Sequence, residues 1–312
     1  MTAQPRLIGR AAPMREAIEQ LDRAAASDVP VLLLGESGTG KELAARSLHA
    51  RSPRSRGPFV AVNLAALPTT LVEDELFGHD AGAFTGATAS RAGRIRKADK
   101  GTLFLDEVGD ISEPVQAKLL RALEEHEVEP LGSESAVAVD VRVVAATHRA
   151  LPTLTARGGF RTDLLHRLAV VTITLPPLRE RLEDLSELAS HFAARETDRL
   201  PVRRLSAAAL ERLHAHSWPG NVRELENAIL RARVLARGDE LEPADFAFLD
   251  EQPPGRAAEL AAAALRRGLT LPDLERAVLD EALRITKGNE TEAARRLGIS
   301  RRALEYRLGK SR

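Results

Sequence analysis

The stretch Val31-Leu32-Leu33-Leu34 followed by GESGTGKE, residues 35–42, decides how the rest of the chain is read. Four apolar residues run into a glycine-rich segment, and that segment runs into Leu43-Ala44-Ala45-Arg46-Ser47-Leu48, which has helical character. Gly35, Gly40 and Lys41 fit the G-x-x-x-x-G-K spacing of a P-loop. Phosphate chemistry needs that order. Glycines let backbone N–H groups turn in around phosphate oxygens, the helix start adds its positive dipole end, and the lysine reaches the β/γ-phosphates. Glu36, Ser37, Gly38 and Thr39 complete the cradle, and Thr39-Gly40-Lys41 leads into Glu42 where the common motif has a Ser or Thr hydroxyl for Mg²⁺.

Outward from the P-loop, the pattern is α/β. Apolar runs at 29–34, 59–64, 101–105, 139–147 and 170–175 predict strands, and segments with helical periodicity at 14–26, 42–50, 111–125 and 160–167 lie between them. Pro176-Pro177 ends the last strand. From 180 to 248 the chain reads as helical, broken by the turn signal Ser217-Trp218-Pro219-Gly220, with Ser206 as N-cap of a helix over 207–216. Residues 250–256 (DEQPPGR) read as a linker, 257–267 as an alanine-rich helix, and 271–312 as a last small unit. The expected division is an α/β nucleotide-binding domain over 1–176, a helical subdomain over 177–249, a linker over 250–269 and a small all-α domain over 270–312.

Bulk composition excludes more than it selects. The 312 residues carry 45 basic and 45 acidic side chains, so net charge names no partner. Residues 284–312, however, hold nine basic against three acidic side chains, which points that segment at an acidic polymer. No cysteine is present, which excludes disulfides and thiolate-held zinc. No apolar run reaches membrane-spanning length and the first ten residues lack a signal-peptide core, so a soluble cytoplasmic protein with no membrane partner is expected.

A second nucleotide motif follows. Leu103-Phe104-Leu105-Asp106-Glu107 has the form of a Walker B strand, with Asp106 to hold Mg²⁺ and Glu107 to polarise the attacking water. Lys41, Asp106 and Glu107 together predict a nucleoside triphosphatase that uses Mg²⁺.

Further motifs narrow the family. ELFGH at 75–79 precedes GAFTGA at 82–87, and PFVAVNLAAL (58–67), TLFLDEVGDIS (102–112), QAKLLRAL (116–123), VRVVAATHR (141–149), FRTDLLHRL (160–168), LPPLRER (175–181) and WPGNVRELEN (218–227) follow in one order. The series resembles the bacterial enhancer-binding proteins, AAA+ activators of sigma-54 RNA polymerase, over nearly the whole chain. Glu42 after the P-loop lysine is usual in that family. The resemblance implies that Gly82, Ala83, Phe84, Thr85, Gly86 and Ala87 contact the sigma factor. The glycines and small alanines suit a mobile tip, and Phe84 is an aromatic that needs either a partner or an anchoring role in the core.

The same resemblance makes Asn63 the switch asparagine that holds Glu107, although an asparagine ending a strand also serves to cap the next helix. It makes Thr147 the first sensor, Arg223 the lid sensor, and Arg161 and Arg167 arginine fingers that reach a neighbouring subunit's ATP. His148 stands where the family has Asn or His. Shared sites imply a homo-oligomeric ring, a hexamer or heptamer, with a dimer as the inactive form.

At the C-terminus, residues 288–304 read as helix–turn–helix. Ala294 is the small residue where helices meet, Gly298 marks the turn and Leu304 is the apolar anchor. Asn289 and Ser300 are the expected helix caps, and Ser300, Arg301, Arg302, Glu305, Tyr306 and Arg307 form the recognition segment, with Lys310 and Arg312 adding phosphate contacts. The unit resembles a Fis-type domain, which implies enhancer DNA as partner. The stripe Leu274, Val278, Leu279 and Leu283 fits either a dimer face or the unit's own core. Two other readings differ in kind: a DNA-binding regulator of ordinary polymerase that uses ATP only to assemble, and a generic AAA+ unfoldase. The intact GAFTGA disfavours the first and the helix–turn–helix the second. Because the family often carries an N-terminal sensing domain, control is expected either from a regulator acting in trans or from a part absent here.

Overall fold

The computed structural model describes residues 7–84, 87–133, 135–195, 201–236, 238–250, 264–265, 267–286 and 288–310. Thr85, Gly86, Lys287, Arg312, most of the expected linker and alanine-rich helix, and the side chain of Lys310 lie outside that description. The chain forms two compact units, Met1–Phe246 and Ala247–Arg312.

The first unit is built on five parallel strands: β1 (Val31–Leu34), β2 (Phe59–Asn63), then, beyond the two-residue β3 (Gly78–His79) and β4 (Arg91–Ala92), β5 (Thr102–Asp106), β8 (Arg142–Thr147) and β9 (Val171–Thr174), in the order β2-β5-β8-β1-β9. The short pair β6 (Glu127–Val128) and β7 (Val137–Ala138) is antiparallel. Register aligns the strand ends: Leu34 pairs with Thr147, and Asn63 with Asp106. The P-loop, the acidic pair and Thr147 therefore emerge at one edge of the sheet.

Alternation explains the two-sided core. Val31, Leu33, Phe104, Val144 and Ala146 pack one face against Met14 and Leu21 of α1 (Ala12–Ala25) and Ala44, Ala45 and Leu48 of α2 (Lys41–Ala50). Leu32, Leu103, Leu105, Val143 and Ala145 pack the other against residues of α3 (Thr69–Phe77), α5 (Glu113–Glu125) and α7 (Thr162–Leu168). Two-sided burial is why these strands read as continuous apolar runs. The small helices α4 (Arg94–Lys97) and α6 (Leu151–Ala156) complete the α/β layers. Arg142, 1 % exposed, donates to the Ala24 and Ala25 carbonyls at the end of α1, where a cation suits the helix dipole.

The expected strand over 139–147 begins only at Arg142. Asp140 stays outside it: its carboxylate binds Arg54 and Lys100 while its N–H donates to Asp99.

Helices α8 (Leu185–Ala194), α9 (Ala207–Ala215) and α10 (Asn221–Leu235), with the parallel pair β10 (Arg204–Leu205) and β11 (Glu240–Leu241), form the lid. Ser206 caps α9 by accepting from Ala209 N at 3.2 Å, as expected. Trp218 is fully buried and its indole donates to Leu213 O at 2.9 Å, so it serves lid packing.

The second unit holds α11 (Leu271–Ile285), opened by a Thr270/Asp273 capping box, then α12 (Glu290–Arg296) and α13 (Arg301–Lys310). Leu279, Ala282, Ala293, Ala294 and Leu304 are its core, with Leu283 packed against them. The stripe on α11 therefore divides: Leu279 and Leu283 face inward, while Val278 is 53 % exposed.

Candidate nucleotide site and effector loops

Local geometry makes the P-loop a backbone cradle. Gly40 caps α2 at φ +104°, and Gly38 sits at φ +80° where a Cβ would stand 2.2 Å from the Gly220 carbonyl of the lid turn. Lys41 opens α2 and is buried; its Nζ donates to Gly35 O (2.9 Å) and Glu36 O (3.2 Å) and lies 3.7 Å from Glu107 Oε1. Thr39 donates its hydroxyl to Glu36 O. Glu42 turns outward to Arg46 at 2.7 Å.

Across the sheet, Asp106 ends β5. Burial pushes its carboxyl up, the neighbouring Glu107 charge adds to this, and Lys41 opposes it. Its Oδ1 is buried with no hydrogen-bond partner, a site where a divalent cation fits. No group of three or more His, Cys, Asp or Glu gathers among the described residues, so Mg²⁺ here would be held by one carboxylate together with phosphate and water oxygens, as Mg²⁺ commonly is. Glu107 sits at φ +58°; burial works against its charge, but hydrogen bonds from His148 and the nearby Lys41 outweigh burial and hold its carboxyl below the ordinary range.

The expected Asn63–Glu107 contact is not what the side chains make. Asn63 Nδ2 donates to Asp106 Oδ2 at 3.2 Å, and its Oδ1 accepts from Ala66 N, so it both caps the next turn and touches the other acid. The strand register that pairs Asn63 with Asp106 is the reason. Glu107 is held instead by His148, through Nδ1 at 2.7 Å and its backbone N–H at 3.2 Å. Thr147, fully buried, accepts from Arg149 N.

A clasp the motifs did not announce joins lid and P-loop. Arg179 meets Glu36 through two hydrogen bonds (2.7 and 2.8 Å), and Asn221 donates to Glu36 Oε2 (3.1 Å) and Ser37 O (3.0 Å) while accepting from Leu178 N (2.8 Å). Arg179 first, then Asn221, bring the Glu36 carboxyl down to about 2. Arg223 donates to Ser37 Oγ at 3.2 Å, and Arg181 donates to Thr39 O at 3.0 Å. Arg223 thus meets the loop itself.

Arg161 does not lie on a helix with Arg167; it is the residue before α7, and its guanidinium binds Asp163 (2.7 and 3.0 Å). Arg167 donates to Leu123 O. Buried Gln116 fixes this corner, accepting from Arg161 N and donating to Ile111 O and Gly159 O.

The loop at 82–87 closes on itself, with Gly82 N donating to Ala87 O (2.8 Å) and Ala87 N to Phe84 O (3.0 Å). Phe84 is 48 % exposed rather than sunk in the core, and Ala83 stands against Gly132. In the second unit Ser300 accepts from Ala303 N and Asn289 from Glu292 N, both as expected. Arg301 pairs with Glu305 (2.8 Å), Arg307 with Glu275 of α11 (3.2 Å), and Arg302 and Tyr306 are exposed.

A P-loop strand separated by one strand from an acidic pair, with a helical lid gripping the loop, defines an AAA+ nucleoside triphosphatase. The sigma-54 interaction domain matches residues 7–174, the AAA+ ATPase lid domain 179–261, and the Fis-family bacterial regulatory domain 270–310. The chain therefore belongs to the bacterial enhancer-binding proteins, and is a sigma-54-dependent transcriptional activator with ATPase activity and a DNA-binding helix–turn–helix. Among its relatives, the transcriptional regulatory protein ZraR of Klebsiella oxytoca is 47% identical over 310 residues, covering 99% of this chain and 69% of ZraR. The DNA-binding transcriptional regulator NtrC of Azospirillum brasilense is 44% identical over 329 residues, covering 97% of this chain and 68% of NtrC. The structure of NtrX from Brucella abortus in complex with ATP superposes with a TM-score of 0.73 at 33% identity, covering 98% of this chain and 69% of that one. No described helix is long and apolar enough to cross a membrane.

Proposed function

We propose that ATP hydrolysis between protomers of a homo-oligomeric ring drives the 82–87 loop against the sigma factor and so converts the closed sigma-54 polymerase complex to the open one. Lys41 and the P-loop amides take the phosphates, and Arg223 senses them from the lid. Asp106, through its partnerless Oδ1, is the ligand for Mg²⁺. When bound, that ion neutralises phosphate charge. Glu107 orients the attacking water, and His148 holds its carboxylate in place. Asn63 reports on the same site through Asp106. Arg161 and Arg167 act in trans, in a hexamer or heptamer that forms from an inactive dimer, and each exchanges its present partner for the neighbour's ATP. Thr147 fixes the strand end beside Glu107. Residues 300–307 read enhancer DNA, the four-part division at 176, 249 and 269 applies, and the protein works in the cytoplasm.

The observation that carries this reading is the approach of Lys41 Nζ to Glu107 Oε1 at 3.7 Å, beside a buried Asp106 oxygen with no partner. Substituting Glu107→Gln tests it: ATP binding persists while turnover falls by about 10²-fold or more. Unimpaired turnover in that variant would remove Glu107 from the chemistry.

A further inference from the structure

His79 stands at the base of the 82–87 loop, 9% exposed. Its Nδ1 is 2.5 Å from Asp74 Oδ1 on α3, and its Nε2 is 3.0 Å from Ala89 O on the limb returning from the loop. A carbonyl oxygen only accepts. Asp74 acts as an acceptor too, its other oxygen taking a hydrogen bond from Arg91 at 3.3 Å. Beside them, Glu75 on α3 binds Arg91 and Arg94. A neutral imidazole has one N–H and satisfies one of two acceptors, whereas this geometry calls for an N–H on each ring nitrogen. The ring also meets Phe84 edge-on, centroids 5.0 Å apart at 65°.

We propose that His79, protonated on both ring nitrogens, is the positioning residue that ties α3 to the return limb and sets where Phe84 of the loop stands. Residues 64–68 join Asn63, at the nucleotide end of β2, to α3, and α3 runs directly into His79. The ring is thus the hinge pin between the nucleotide end of the sheet and the aromatic tip. The inference rests on the reading that this loop meets the sigma factor.

The test uses the full chain labelled with ¹⁵N-histidine at neutral pH. The resonances that vanish in His79→Gln should show both ring nitrogens protonated, and Asp74→Asn should strip one of those protons. His79→Gln should keep ATP hydrolysis within about twofold while open-complex formation drops by about tenfold. A bare ring nitrogen in the unsubstituted protein overturns the proposal, as does a His79→Gln protein that opens promoters normally. If His79→Gln does not fold, the spectra of the unsubstituted and Asp74→Asn proteins decide. Failure of the sigma-contact reading looks different: Phe84→Ala would open promoters normally while the His79 spectrum stayed as expected.

Discussion

Replacing Asn221 with alanine should loosen the lid more than any surface change nearby, and the structure gives the size of the effect. Asn221 is fully buried, sits at φ +56°, and makes three side-chain hydrogen bonds, to Leu178 N, Glu36 Oε2 and Ser37 O. At about 1 kcal/mol net each, the bonds contribute about 3 kcal/mol. An alanine at positive φ adds about 1 kcal/mol of strain that asparagine tolerates better. Asn221→Ala should therefore cost about 4 kcal/mol and Asn221→Gly, which loses the bonds without the strain, about 3 kcal/mol. Trp218, the chain's one tryptophan and fully buried three residues away, reports lid unfolding by fluorescence in a urea titration. A cost of less than about 1 kcal/mol for Asn221→Ala, or equal destabilisation of the alanine and glycine variants, would refute this role for Asn221.

Two further outcomes follow from the site. The Glu36 carboxyl, lowered from 4.5 to about 2, adds lid stability that is present above pH 4.5 and lost as pH falls towards 2. The Glu36–Arg179 pair is nearly half-exposed, so this amounts to about 1 kcal/mol or less, and the Trp218-monitored acid transition should lose that component in Glu36→Gln. Arg161→Ala should be inactive alone yet regain partial ATPase activity when mixed with Lys41→Ala, since each variant supplies what the other lacks across a shared site; no recovery in the mixture would argue against trans action.

What the sequence disclosed depended on how local the cause was. The central strands β1, β5 and β8 were legible because burial on both faces forces apolar runs, and the caps Ser206, Asn289 and Ser300 because a cap acts within three residues. Helix α3 went unread: it is nine residues long with no side-chain cap, and it ends in strands only two residues long. The clasp of Glu36, Arg179 and Asn221 joins positions 143 and 185 residues apart, and no local pattern marks such a pairing. Asn221 stood only inside the quoted motif WPGNVRELEN. The partner of Asn63 is likewise a matter of register: one residue along the strand exchanges Glu107 for Asp106. Gln116 lay within a quoted motif, and only its burial beside Arg161 gives it a role.

In the proposed mechanism, ATP hydrolysis at Lys41, Asp106 and Glu107 is coupled through the 82–87 loop to opening of a sigma-54 promoter. Transcription in vitro from such a promoter, with sigma-54 polymerase, enhancer DNA and ATP, measures that coupling directly. The unsubstituted protein should form open complexes only with hydrolysable ATP, and Phe84→Ala should hydrolyse ATP yet form none. Open complexes formed with a non-hydrolysable analogue, or formed normally by Phe84→Ala, would contradict the account.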